Sequence, residues 1–261
     1  MKRLIILLVV CLLAACASVP ASPPSTTSSF FKPTPRIPNR SYYTKRCWPG
    51  CHYDPAIIKP TPNYTMDDFE GALSSSWMWI NEDPAHWTLS EAPGSLRIIS
   101  HGGVLSAGLQ DAQNILVRGA PEMHFDIMTK VAFAPDGNYQ NASLIVRLTD
   151  DSVLSLSRGY CQEGESPYCV GSGIYFNGPE PYCQESGVPI SADTVTLMLR
   201  KAGNSYIGYY NLEGGDWIEV SRCSSAMLAE PLDVGLTVTT GDPDVPPIAA
   251  DFDFFALVER Y

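Results

Sequence analysis

From Tyr64 onward, apolar and polar side chains take turns along the chain. In TVTLMLR (194–200), Val195, Leu197 and Leu199 fall on one side, and Thr196 and Arg200 on the other. MHFDIMTKVAF (123–133) is longer, with Phe125, Ile127, Thr129, Val131 and Phe133 sharing a side. ASLIVRLT, SVLSLSRGY, SGIYFNG, NSYIGYYN, DWIEVSR, DVGLTVTT and ADFDFFALV continue the pattern. A strand turns successive side chains to opposite faces, whereas a helix repeats every 3.6 residues, so this period predicts strands. Turn chemistry separates the runs: APDGN (134–138), EGGD (213–216) and GDPDVPP (241–247). Many short strands joined by Gly- and Pro-rich turns predict an all-β fold, a two-sheet antiparallel sandwich. Within SSSWMWINEDPAHWTLSEAPGSLRI (74–98), Trp77 and Trp79 share one face, and Met78 and Ile80 the other. Two apolar faces predict an interior strand. Trp87 shares a face with Leu89.

The start of the chain breaks the pattern. Lys2 and Arg3 precede an apolar run, Leu4 to Leu13, which is shorter than the ~20 residues needed to cross a bilayer as a helix. Leu13-Ala14-Ala15-Cys16 then resembles a bacterial lipobox. The resemblance implies cleavage before Cys16, acylation of Cys16, and an extracytoplasmic place in the cell envelope, with the membrane touched only through the lipid anchor. Residues 1–15 are then the signal peptide. Residues 16–40, rich in Ser, Thr and Pro, are too polar to fold alone and read as an extended tether. Residues 41–63, with CWPGCHYDP, read as a disulfide-clamped lead-in, and 64–261 as the sandwich.

Composition narrows the partners. The chain carries 28 acids against 17 Lys and Arg, a net charge of −11. Loss of Lys2 and Arg3 takes the mature chain to −13, with 28 acids against 15 bases. That balance opposes nucleic acid as a partner, and a monomer is expected. Of eight cysteines, Cys11 leaves with the signal peptide and Cys16 takes lipid. The remaining six, an even number in an exported chain, point to three disulfides, for which fifteen pairings exist. The pairing expected is Cys47–Cys51, Cys161–Cys169 and Cys183–Cys223.

The stretch DDFEGALSSSWMWINEDPAHWTLSEAPGSLRI (67–98) resembles the start of one family. Its pattern is acidic-Phe-x-Gly, a Trp-rich strand, Asp-Pro, Trp-x-Leu, then Pro-Gly-x-Leu-Arg-Ile. The likeness continues in 114–133, 139–161, 206–220 and 233–257, in order. The family is the concanavalin A-like jelly-roll domain at the C-terminus of family 43 β-xylosidases, with its relatives of unknown function. The resemblance implies a two-sheet jelly roll and an association with glycans, as an accessory to a separate catalytic propeller.

The chemistry-bearing residues fit that role. The Glu-x-Asp-x-x-Glu string of family 16 glucanases, which share the superfamily fold, does not occur here; nor do G-x-S-x-G and H-E-x-x-H. Asp150 and Asp151 are neighbours, so on a strand they would face opposite ways. Asp251 and Asp253 share a face but sit among Phe252, Phe254 and Phe255. His52, His86, His101 and His124 form no local pattern. No cofactor is expected. A structural calcium could join Asp67 or Asp68 to Asp251 or Asp253, set against edge carboxylates that simply solubilise strand ends. Pyranose rings stack their C–H faces on aromatics and need polar groups around their hydroxyls. The candidate aromatics are Trp79, Trp87, Tyr139, Tyr160 and Tyr175. The candidate polar partners are Asn81, Glu82, Arg97, Gln140 and Arg158. Core packing competes for the tryptophans and ion pairing for the arginines. The leading expectation is a non-catalytic surface lipoprotein binding carbohydrate, of plant polysaccharide type. An envelope interaction module that has lost its sugar site comes next, and a glycoside hydrolase third. The anchor is checked by metabolic labelling with a lipid precursor: label should appear on the chain and vanish in Cys16→Ala. An unlabelled chain would contradict it.

Overall fold

A computed structural model describes residues 63–100, 102–105, 111–241 and 244–260. The described residues belong to one compact unit, Ile57–Tyr261. The expected signal peptide, Cys16, the expected tether and lead-in, His52, His101 and the expected Cys47–Cys51 pair lie outside them.

Two antiparallel sheets form a jelly-roll sandwich. The order of the eight-stranded sheet is β13 (Ile218–Ser224), β12 (Ser205–Asn211), β11 (Thr194–Ala202), β6 (His124–Ala132), β15 (Ala249–Arg260), β4 (Leu96–Ile99) and β3 (Trp87–Thr88). Its eighth strand, β1 (Tyr64–Asp67), also pairs with β15. The seven-stranded sheet runs β10 (Ser186–Pro189), β9 (Gly171–Asn177), β8 (Ser152–Cys161), β7 (Gln140–Thr149), β14 (Asp233–Thr240), β5 (Ile115–Gly119) and β2 (Met78–Ile80). Among the described residues the helical content is one 3₁₀ turn, Pro84–His86, capped by the Asp83 carboxylate.

The alternation of each strand sends one set of side chains into the shared core. Ile127 and Val131 of β6, Leu197 and Leu199 of β11, Leu144 and Val146 of β7, and Leu154 and Leu156 of β8 meet there, fully or almost fully buried. β15 departs from simple alternation. Its register against β6 shifts between Phe252 and Phe254. That bulge puts Phe252 and Phe255, three residues apart, on the core side together, and leaves Phe254 with Met128 and Met198 on the outer face. Trp77 meets Phe255 edge-on at 4.9 Å, lies under the Arg118 guanidinium at 5.4 Å, and donates from Nε1 to Asp67 Oδ2 at 2.7 Å.

The tryptophan strand is not interior. β2 has a single neighbour, β5, and stands at the sheet edge, so Met78 is 57% exposed. Its two apolar faces misled because an edge strand can leave one of them in solvent. Trp79 and Trp87 instead close the sandwich at that edge. One lies in each sheet, their rings are 4.9 Å apart, and both pack on the core. Two of the expected disulfides are present, Cys161–Cys169 and Cys183–Cys223, with Cα atoms 4.9 and 4.6 Å apart.

Truncating a fully packed ring costs about 3–5 kcal/mol, whereas an exposed side chain changes stability by about 0.5 kcal/mol or less. Phe255→Ala should therefore lower the urea midpoint sharply and Met78→Ala should leave it nearly unchanged. Equal effects would contradict the placement of β2 and β15.

Candidate functional site

The outward side chains of the central strands form the floor of a groove. β7 turns Ala142, Leu144 and Val146 into the core and Asn141 and Ser143 outward; β8 does the same with Leu154 and Leu156 against Ser155 and Ser157. These polar residues, with Thr239 of β14, line a groove of about 590 Å³ on the outer face of the seven-stranded sheet. Ligand sites commonly occupy ~300–1,000 Å³. The Ser143 and Ser157 hydroxyls share a hydrogen bond of 2.7 Å. Thr237 stands across from Ser143 in register, fully buried, and its hydroxyl has no partner among the described residues.

Aromatic rings make one wall. Tyr139, Tyr168 and Tyr175 gather around the Cys161–Cys169 disulfide. The Tyr175 ring lies against bare backbone. A Cβ on Gly187 would come within 3.0 Å of its Cε1 and 2.2 Å of the Tyr168 carbonyl, and one on Gly173 within 3.4 Å of its Cε2. Glycine at these two positions lets the ring lie close. The Tyr175 hydroxyl donates to the Gly171 carbonyl and accepts the Val170 N–H, and burial pushes its pKa up. Tyr168 is raised as well, by burial first and then by its hydrogen bond to Glu185. Glu185, Asn177 and the 178–180 segment continue the lining from Tyr168, and the Asp151 turn meets the groove between β7 and β8.

The residues singled out in the sequence divide between this groove and other places. Tyr139, Tyr160 and Tyr175 all border it. Strand alternation puts the Tyr160 ring on the same side as Arg158, so its approach to the groove is from the strand end. Arg158 is 1% exposed and inward; it donates to the carbonyls of Ala192, Gly159 and Gly173 and to Ser172 Oγ. Gln140 is fully buried as a loop clamp. Its Oε1 accepts the N–H groups of Asp136 and Gly137, and its Nε2 donates to the Pro246 carbonyl. That clamp fixes the turn next to Tyr139. Trp79, Trp87, Asn81, Glu82 and Arg97 lie elsewhere. Trp87 Nε1 donates to Glu82 Oε1 at 3.2 Å, Asn81 Nδ2 donates to the Ala112 carbonyl at 3.0 Å, and Arg97 grips Asp251 with Nε and Nη2 at 2.7 and 2.8 Å. The acids considered for calcium have protein partners too. Asp67 accepts from the Phe69 N–H and from Trp77, Asp251 from Arg97, and Asp253 stands 3.9 Å from Lys130. Among the described residues no group of three or more His, Cys, Asp or Glu gathers as a metal site would require.

Ser143, Ser155, Ser157, Tyr168 and Glu185 escaped the sequence reading. One signal was available: in SVLSLSRGY the serines alternate with leucines, which marks a strand whose outer face is small and polar. A groove so built can stack a ring on tyrosine and hydrogen-bond neutral hydroxyls. Its carboxylates come from a turn and from loop positions rather than from one strand.

Comparison with known proteins agrees with the fold. The family of β-xylosidase C-terminal concanavalin A-like domains matches residues 66–257. The non-reducing end α-L-arabinofuranosidase BoGH43B of Bacteroides ovatus is 32% identical over 93 residues, which are 34% of this chain and 17% of that protein. The GH43 protein BlXynB of Bacillus licheniformis superposes with a TM-score of 0.60 at 21% identity, over 74% of this chain and 39% of its own. The xylan β-1,4-xylosidase of Bacillus halodurans C-125 gives 0.59 at 21% identity, over 81% of this chain and 41% of its own. The chain thus spans about two-fifths of those structures.

The buried phenols of the wall carry a pH signature. Their pKa values are raised from 10.0, so above about pH 10 the unfolded chain sheds these protons first. The unfolded state then binds fewer protons, and stability falls as pH rises. The melting temperature should hold to about pH 9 and drop beyond 10, less steeply in Tyr175→Phe. A drop no shallower in that variant would contradict the burial of Tyr175.

Proposed function

We infer what this chain does from the family it belongs to, the β-xylosidase C-terminal concanavalin A-like domains, and from the groove on its seven-stranded sheet. The domain binds carbohydrate there and does not cut it. The observation that carries this reading is the combination of rings and neutral polar groups in one hollow. Tyr139 and Tyr168, both half-buried, offer faces for the C–H side of a sugar ring, and the buried Tyr175 packs with them around the disulfide. Asn141, Ser155, Ser157 and Thr239 offer donors and acceptors without charge. A hydrolase instead needs two carboxylates about 5–9.5 Å apart, flanking one bond. Asp151, Glu180 and Glu185 reach the groove from its edges, and Glu185 is engaged by Tyr168.

The relatives suggest the ligand class. One is named for cleaving arabinofuranosyl groups and another for xylan, so arabinoxylan is the first polysaccharide to try. Lipid on Cys16 and the Ser/Thr/Pro tether would hold the groove outside the membrane, facing extracellular glycan. Affinity electrophoresis of a secreted form beginning after Cys16 tests the binding. Arabinoxylan in the gel should retard it, and Tyr139→Ala or Tyr168→Ala should weaken retardation about tenfold, near 1.4 kcal/mol. Free migration through a panel of neutral polysaccharides would overturn the reading.

A further inference from the structure

We propose that the groove selects glycans by charge, admitting neutral chains and turning away those that carry carboxylates. The proposal rests on carbohydrate binding in this groove and goes further by fixing which glycans enter.

The lining has one sign of charge. Asp151, Glu180 and Glu185 line the groove, and no Lys, Arg or His stands among its described lining residues. Asp151 comes from the β7–β8 turn and Glu180 and Glu185 from the loop between β9 and β10, which the strand register sets beside Ser155 and Asn177, so a chain lying over that part of the floor would meet them. A second tier has the same sign. The 162–168 loop that presents Tyr168 also holds Glu163 and Glu165. A Cβ on Gly171 would lie 3.4 Å from Glu163 Oε1, and Glu165 accepts the Asn138 amide at 2.7 Å. The negative charges of Glu185 and Glu165 are both felt at the Tyr168 hydroxyl.

The arginines of this sheet do not offset these acids: Arg118 of β5 lies over the Trp77 ring. Arg158 acts electrostatically on Tyr175, yet its guanidinium is sunk beneath the floor and donates to three carbonyls and a hydroxyl. Arg147, on the outer side of β7, is bound by Asp233 and Asp150. A glycan carboxylate entering the groove would lose water and meet only like charge, the repulsive element by which binding sites reject near-identical ligands. A neutral hydroxyl in the same place meets serines, threonine and amides. The methyl ester of a uronate has nearly the shape of the acid without its charge, and so separates charge from size.

Isothermal titration of the secreted chain with three ligands tests this: a neutral xylo-oligosaccharide, the same oligosaccharide carrying one glucuronic acid, and the methyl ester of that acid. At about 20 mM salt the acid should bind at least tenfold more weakly than the neutral chain, and the ester close to the neutral chain. The gap should narrow towards 0.5 M salt, as the Debye length shortens below about 10 Å. It should also narrow in the combined variant Asp151→Asn, Glu180→Gln, Glu185→Gln, which preserves shape and the polar contact to Tyr168. An acid bound as well as the neutral chain overturns the proposal, and so does an ester as weak as the acid, which would assign the rejection to size. Absence of binding by all three ligands overturns the carbohydrate reading itself, and the selectivity with it.

Discussion

A β-strand must turn neighbouring side chains to opposite faces, and in β7 and β8 this one constraint makes both the core and the groove. Leu144 and Leu156 face inward while Ser143 and Ser157 face outward, each pair standing directly across the two strands. A slip of one residue would exchange serine for leucine on both faces at once. Stability and the candidate site are therefore not separable. The burial that holds the sheets together is what presents a polar floor on the other side. Gly173 and Gly187 extend the arrangement, because without side chains they let the Tyr175 ring lie close against the sheet.

The walls depend on covalent ties as much as on packing. Cys161–Cys169 closes the loop that carries Tyr168, and the bridge itself packs among the tyrosines. Cys183–Cys223 joins the segment beyond Glu180 to β13, a strand of the opposite sheet. Loops are ordinarily the mobile parts of a sandwich, and a crosslink removes much of their freedom before any ligand arrives. Preorganisation of this kind favours binding, because less ordering remains to be done when a sugar enters. The segment around Cys183 also supplies Glu180 and Glu185, so much of the shape and charge at the groove comes from crosslinked loops, with Asp151 added from the β7–β8 turn.

Much of the fold was legible in the sequence. Alternation in 123–133, 142–149, 152–160 and 194–200 marks strands that do form, and the two cysteine pairings after residue 160 are those present. What alternation could not convey is which strands lie at an edge and which outer face is hollow. Met78 and Ile80 looked like a second buried face, but β2 has no neighbour beyond β5. Trp79 and Trp87 drew attention as sugar platforms, yet their rings pack against one another, tilted, across the sheet edge, a contact between residues of different sheets. Arg158 and Arg97 were conspicuous as charges within apolar strands. Backbone carbonyls satisfy the first and Asp251 the second. Tyr139 and Tyr175 were within reach because aromatics are visible in any sequence, whereas Ser155 and Ser157 are ordinary residues until β9, β10 and their loops rise around them. The bulge at Asp253 was likewise invisible, since ADFDFFALV reads as unbroken alternation until its pairing with β6 is known.

The proposed carbohydrate site is the groove on the outer face of the seven-stranded sheet. A crystal structure of the secreted chain soaked with a neutral xylo-oligosaccharide tests that placement most directly. Sugar density should lie over Ser143, Ser155 and Ser157, with a ring against Tyr139 or Tyr168. Density at the Trp79–Trp87 edge, or on the eight-stranded sheet with the groove empty, would contradict it.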